Sequence, residues 1–143
     1  FHQRPGWAAS FASLMRAAPW VEPALDAADL LLPMPLSVQR LRERGYNQAD
    51  ALARALEPSK VAHGVLLRVQ DTPPQRTLAR SERLRMVENA FAVDPLKLSR
   101  VAGKRLVLLD DVMTSGASLH AAARVLRRAG AAHITALVLA RTE

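Results

Sequence analysis

Apolar positions recur along this chain with helical spacing in some stretches and as unbroken runs in others, and the two patterns predict different elements. Residues 7–18 place Trp7, Phe11, Leu14, Met15 and Ala18 at helical spacing, with Ser10, Ser13 and Arg16 between them. That predicts an amphipathic helix packing on the domain. Asp29 to Pro35 is an apolar run ended by two prolines, predicting a buried strand that opens into a constrained loop. Residues 37–56 return to helical spacing through Val38, Leu41, Ala49, Leu52, Ala53 and Leu56, with a break at Gly45 and a stop at Pro58. Val61 to Val69 predicts a second strand, interrupted by His63 and Gly64. Residues 70–89 are polar and arginine-rich, predicting a long loop and a short surface helix, and a loop of that length in a compact domain is usually functional. Ala90 to Val93 predicts a short strand, and residues 94–104 a connector.

The C-terminal third carries the clearest pattern. Leu106-Val107-Leu108-Leu109 is a continuous apolar run, expected of a parallel strand buried on both faces. Asp110 and Asp111 follow at its end, then Val112-Met113-Thr114-Ser115-Gly116-Ala117-Ser118. A helix is predicted over 119–129, with Ser118 as its N-cap, Leu119, Ala122, Ala123 and Leu126 as its core stripe, and Gly130 as its stop. Ile134 to Leu139 supplies the next strand. Strand, helix and strand make a βαβ unit, and ligands of open α/β sheets bind at the carboxyl ends of such strands.

Composition narrows the classes. A chain of 143 residues, half of them apolar, suits one domain with a real core, here read as residues 29–143 behind a helical extension at 1–28. Phe1 in place of Met is what a processed or trimmed chain would show. The absence of cysteine excludes a disulfide framework and a cysteine-based zinc site in this chain, and fits a cytoplasmic protein. No apolar run approaches membrane-spanning length, so no membrane partner is expected, and Arg16 breaks the short apolar stretch that a signal peptide would need. Nothing in the pattern specifies an oligomeric state.

The formal net charge is +7. Alone it admits nucleic acid, an anionic membrane or a phosphorylated small molecule. Residues 36–105 carry 14 basic and 7 acidic groups, while residues 106–143 carry 4 and 3. The excess therefore belongs to the middle of the chain, beside the nearly balanced βαβ unit.

The loop of small hydroxyl residues and glycine entering a helix offers backbone N–H groups and hydroxyls to a phosphate monoester. The two carboxylates before it suit Mg²⁺ or sugar hydroxyls. Acceptors for a diol or metal beside donors for a phosphate match a phosphorylated sugar. An apolar strand ending Asp-Asp also fits a Walker B segment, but no G-x-x-x-x-G-K-[ST] accompanies it, and no G-x-G-x-x-G is present. His120 lies beside the cradle and reads first as a surface histidine; His2, His63 and His133 lack metal-ligand spacing.

LVLLDDVMTSGAS, residues 106–118, resembles the phosphoribosyl-pyrophosphate (PRPP) motif of type I phosphoribosyltransferases. Pro33-Met34-Pro35-Leu36 with Arg40, then Arg44-Gly45-Tyr46-Asn47-Gln48-Ala49, resembles the competence protein F (ComF/GntX) branch. So does the stretch with Arg68, Thr72, Gln75, Leu78, Arg83 and Ala90-Phe91. The resemblance covers residues 29–141 and implies an α/β fold: a mostly parallel sheet flanked by helices, with a flexible hood loop over the site.

It further implies PRPP and Mg²⁺ binding, with phosphoribose passing to an amine or base and pyrophosphate released. Asp110 and Asp111 would be catalytic and metal-binding, and the PRPP loop would run from Asp110 through Val112, Met113, Thr114, Ser115, Gly116 and Ala117 to Ser118. Pro33, Met34, Pro35, Arg40 and Arg44 would form the pyrophosphate loop, and Arg68, Gln75 and Arg83 would belong to the hood. Two departures stand out. Met86 replaces an asparagine common three residues after the position of Arg83, and the Cys-rich zinc module with which family members usually begin is not in this sequence, which either starts after it or belongs to a member that lacks it. The alternative is a non-catalytic PRPP-binding protein or a handler of single-stranded DNA. The basic region contains only Tyr46 and Phe91 as aromatics, few for a strand-stacking groove.

Overall fold

A computed structural model describes residues 6–70 and 79–142. Two helices, α1 (Gly6–Arg16) and α2 (Val21–Ala27), precede the strand β1 (Leu30–Pro33). Helices α3 (Val38–Arg44) and α4 (Gln48–Leu56) follow, then β2 (Leu66–Arg68), α5 (Arg80–Glu88) and β3 (Phe91–Val93). The chain closes with β4 (Arg105–Met113), α6 (Ala117–Arg128) and β5 (His133–Arg141). Among the described residues the main sheet is parallel, in the order β1-β4-β5, and β2 and β3 pair antiparallel in a small second sheet. The expected α/β architecture, a parallel sheet flanked by helices, is what the chain adopts.

Alternation along the strands assigns the two faces of the sheet. Leu32, Leu106 and Leu108 pack with Leu119, Ala122 and Leu126 of α6, with Leu66 and Phe91 of the small sheet, and with Val65 just before it. Leu31, Val107, Leu109 and Leu137 pack on the other face with Met15 of α1, Leu25 of α2, and Leu52 and Leu56 of α4. Burying each such leucine fully is worth about 1.5–3 kcal/mol, so the central strand is secured from both sides. Asp29 sets the register at the start: its N–H donates to the Arg105 carbonyl, and its Oδ2 accepts from the Arg105 N–H, both at 2.8 Å.

Several expectations change. The buried face of α1 is Ala8, Ala12 and Met15, whereas Phe11 and Leu14 are exposed, because small residues let α1 lie close on α4. Val38 and Leu41 are exposed and α3 buries no residue, so the core stripe expected across 37–56 belongs to α4 alone. The strand expected over 61–69 is two pieces: Val61 bridges Leu31 in the main sheet, and β2 begins at Leu66 after a left-handed turn at Gly64 (φ 71°).

The helix after β4 begins at Ala117 with Gly116 as its N-cap, not at 119 with Ser118. Gly116 at φ 82° turns the chain a residue pair earlier, and its carbonyl accepts from the His120 N–H at 2.9 Å. The core stripe of α6 includes Ala121 and not Ala123. At the other end Gly130 (φ 98°) closes a Schellman motif, with Gly130 N–H to Arg127 and Ala131 N–H to Leu126.

Candidate functional site

The strands end out of step, and the site follows from that. Strand β1 stops at Pro33, which pairs with Leu109, while β4 continues to Met113 alongside β5. Asp110 and Asp111 therefore lie within β4, opposite β5, and beyond the last rung of β1. The sequence had placed them after the strand; the ladder of Asp110 with Val138 and Val112 with Ala140 keeps them in it.

A cavity of about 320 Å³ opens there, lined by Asp110, the whole run Val112 to Leu119, and Arg80, Leu84 and Val87 of α5. It joins one carboxylate to the loop of Thr114, Ser115, Gly116 and Ser118, with an arginine and an apolar wall contributed by α5. The Ser115 Oγ accepts from the Ala117 N–H at 3.3 Å, so the loop is organised by its own hydroxyl.

Asp111 does not line this cavity, but it acts on Asp110. The Asp111 N–H donates to Asp110 Oδ1 at 2.9 Å, and the Val112 N–H donates to Asp111 Oδ1 at 2.9 Å. Burial pushes the Asp110 carboxyl up to about 7, and a side-chain hydrogen bond with Asp111 and the Asp111 charge push the same way. The Asp111 backbone N–H and the Arg68 charge pull it partly back. Arg68 ends β2, its Nε donates to the Gln70 carbonyl at 3.1 Å, and its guanidinium lies 5.2 Å from the Phe91 ring centroid.

The Pro33-Met34-Pro35 turn sits at the same carboxyl edge, tied to β4 by the Met34 N–H to the Leu109 carbonyl at 2.8 Å. It lines a different cavity, with Leu41, Tyr46, Asn47 and His63, so turn and acids are neighbours rather than walls of one pocket. Arg40 and Arg44 lie on exposed α3, and Arg44 bonds Gln48 at 2.9 Å; neither lines the cavity with Asp110. Thr72, Gln75 and Leu78 lie outside the described residues, and Arg83 falls within α5.

Sequence reading missed Arg80, Leu84 and Val87. The arginine run was its signal, but only the packing of α5 beside α6 shows which arginine reaches the cavity. Every peptide bond among the described residues is trans, including those of the proline turn.

The phosphoribosyl transferase domain model matches residues 41–143. Competence protein F of Haemophilus influenzae is 34% identical over 122 residues, covering 82% of this chain and 52% of that protein. Competence protein ComFC of Bacillus subtilis is 38% identical over 118 residues, covering 82% and 46%. The DNA utilization protein YhgH of Escherichia coli O157:H7 is 32% identical over 123 residues, covering 82% and 52%. The chain thus spans about half the length of the curated relatives it matches.

Among solved structures, the allosteric regulatory enzyme of purine biosynthesis aligns with a TM-score of 0.54 at 20% identity, covering 92% of this chain and 25% of that one. Glutamine PRPP amidotransferase from B. subtilis, complexed with ADP and GMP, aligns at 0.55 and 19%, covering 92% and 26%. At such identities the likeness is one of fold.

Proposed function

The chain belongs to the phosphoribosyl transferase domain family, and from that premise we propose that it binds PRPP with Mg²⁺ and transfers phosphoribose to a nitrogen acceptor, releasing pyrophosphate. The observation that carries this reading is the cavity joining Asp110 to the Thr114–Ser118 loop, with Arg80 on its wall.

A phosphate monoester suits the loop, where a left-handed glycine and the first turn of the 12-residue helix α6 direct N–H groups outward. Asp110 then faces the ribose hydroxyls, with Asp111 behind it holding that carboxylate through its backbone N–H. Arg80, with Arg68 near Asp110, supplies positive charge for the diphosphate. The Pro33–Pro35 turn is held one strand away, where the leaving pyrophosphate would rest.

The acid pair fits Mg²⁺. Burial and the neighbouring Asp111 disfavour a lone charge on Asp110, and a divalent cation held by the pair would offset that charge. Among the described residues no group of three or more His, Cys, Asp or Glu is placed to hold a metal. Magnesium is commonly held by one or two carboxylates, with substrate phosphates and water completing the shell. Bound there, it would neutralise charge on the departing pyrophosphate. The protein's own share is positioning and electrostatic support of an oxocarbenium-like transition state. Asp110, held by Asp111, orients the sugar, the loop anchors its phosphate, and Leu84 and Val87 supply an apolar wall.

Replacing Asp110 and Asp111 together by Asn tests the reading. Titration calorimetry is expected to lose Mg²⁺-dependent PRPP binding, and unchanged binding overturns the assignment.

A second reading draws on the names of the relatives, which concern competence and DNA utilization: a protein that handles single-stranded DNA. The aromatics of the basic region weigh against a stacking groove. Phe91 is buried beneath Arg68, and Tyr46 is half-buried with its ring 6.4 Å from that of Trp7. Strand affinity that falls steeply with salt and competes with PRPP would favour this reading. No helix among the described residues is long and apolar enough to cross a membrane, and a cytoplasmic site of action accords with a cysteine-free chain and a phosphorylated substrate.

A further inference from the structure

The carboxyl end of β5 carries a charged group that phosphoribose binding leaves unused. Arg141 pairs in register with Met113, and the Thr142 N–H donates to the Met113 carbonyl at 2.9 Å. Arg141 and Thr142 line a second, open cavity whose other walls are Thr114 and Ser115. Thr114 and Ser115 also line the first cavity, so the two adjoin across the loop. Arg16, Arg54 and Arg124 each approach a carboxylate; the Arg141 guanidinium has no hydrogen-bond or ion-pair partner among the described residues.

Sheet order gives that placement chemical meaning. Along the carboxyl edge the order β1-β4-β5 sets the Pro33–Pro35 turn, the acid pair and Arg141 in a row. Displacement at the anomeric carbon needs the incoming nitrogen and the departing oxygen on opposite sides of that carbon. With pyrophosphate at the end of β1 and the sugar over β4, the acceptor enters from the β5 side.

We propose that Arg141 is the acceptor-specificity residue, and that the acceptor is an aromatic or heteroaromatic nitrogen compound bearing a carboxylate. A guanidinium grips a carboxylate through two parallel hydrogen bonds, which fixes the plane of the attached ring as well as its charge. The nitrogen lone pair then forms the bond to C1 as the C1–O bond to pyrophosphate breaks. The bonding electrons leave on the pyrophosphate oxygen, and the nitrogen's surplus proton, where it carries one, passes to water. The Ser115 and Thr142 hydroxyls stand beside the same opening.

This inference rests on the phosphoribosyl-transfer reading, and the experiment separates the two. The chain saturated with Mg²⁺ and ribose 5-phosphate is titrated with benzoate and with benzamide as probes, in wild type and Arg141→Gln. Benzoate is expected to bind about tenfold more tightly than benzamide in wild type, the size of one good charge-assisted contact. Arg141→Gln is expected to abolish that preference while ribose 5-phosphate affinity stays within about twofold. Equal binding of the probes, binding of neither, or a preference that survives in Arg141→Gln overturns the proposal. Loss of ribose 5-phosphate affinity in Arg141→Gln assigns the guanidinium to the sugar phosphate and overturns it too. Failure of wild type to bind ribose 5-phosphate sinks the transfer reading itself, whereas intact sugar-phosphate binding without carboxylate preference sinks only the role of Arg141.

Discussion

Met34 and Leu109 are joined by a 2.8 Å bond from the Met34 N–H to the Leu109 carbonyl, one residue before the acid pair. Past this rung β1 has turned away at its prolines while β4 runs on beside β5, so a turn and two carboxylates come to share one edge. Asn47 holds the other side of the turn. Its Nδ2 donates to the Met34 carbonyl at 2.9 Å, and its Oδ1 caps α4 by accepting from the Ala49 and Asp50 N–H groups.

Asn47 thus performs two separable tasks. Asn47→Ala is expected to destabilise the fold by about 1–2 kcal/mol through the lost cap and tether, and to weaken PRPP binding as the turn loosens. Asn47→Asp keeps the capping oxygen and loses the donor to Met34. It should restore most of the stability in urea titrations but not the affinity in calorimetry. Affinity equal to wild type in both variants would separate the turn from the ligand.

Gly116 and Gly103 form a matched pair, at φ 82° and 73°. A Cβ at Gly103 would meet nothing within 4 Å, and one at Gly116 would touch Met113 Sδ at 3.4 Å, an ordinary contact. Alanine at either site is expected to cost about 1–2 kcal/mol for the left-handed backbone. Only Gly116→Ala should also lower ribose 5-phosphate affinity, because only that residue lines the cavity proposed to hold the phosphate. Equal affinity in the two variants would detach the loop from the phosphate.

Much of this was legible in the residues, for physical reasons. Leu106 to Leu109 could only be a strand covered on both faces, and Gly130 could only end a helix with that stripe. The acid pair and hydroxyl loop were readable because their chemistry is local. Three features were not. Helix α1 turns its alanines inward because α4 lies close, which no periodicity reports. Strand β4 outruns β1 because β5 partners it, a consequence of register. Arg80, rather than Arg40 or Arg44, reaches the cavity because α5 lies beside α6, and helix packing across distant segments leaves no mark in a local pattern.

Arg80 opens α5 and lines the same cavity as the Thr114–Ser118 loop. A charge-assisted contact to phosphate is worth about 1.5–3 kcal/mol, so Arg80→Gln should weaken PRPP binding by about tenfold or more. The same change on α3, Arg40→Gln, should have little effect, since Arg40 is exposed away from the cavity. The slope of affinity against salt should be shallower for Arg80→Gln and unchanged for Arg40→Gln. The reverse ranking would return the pyrophosphate contact to α3.

The Asp110 carboxyl is raised from 3.8 to about 7, chiefly by burial, so the native chain holds that proton more tightly than the unfolded chain does. Its contribution to stability is therefore fully present below pH 4 and is lost as pH rises toward 7. Asp110→Asn removes the titration, and urea midpoints between pH 4.5 and 7.5 should show wild type losing ground to the variant as pH increases. A cation held by the acid pair, as proposed, would displace the same proton. Affinity for Mg²⁺ with PRPP should then rise by up to about tenfold per pH unit below 7 and level off above it. Parallel stability curves for wild type and variant would mean that the proton is not held on Asp110. A flat Mg²⁺ profile beside diverging stability curves would instead place the cation away from this carboxylate.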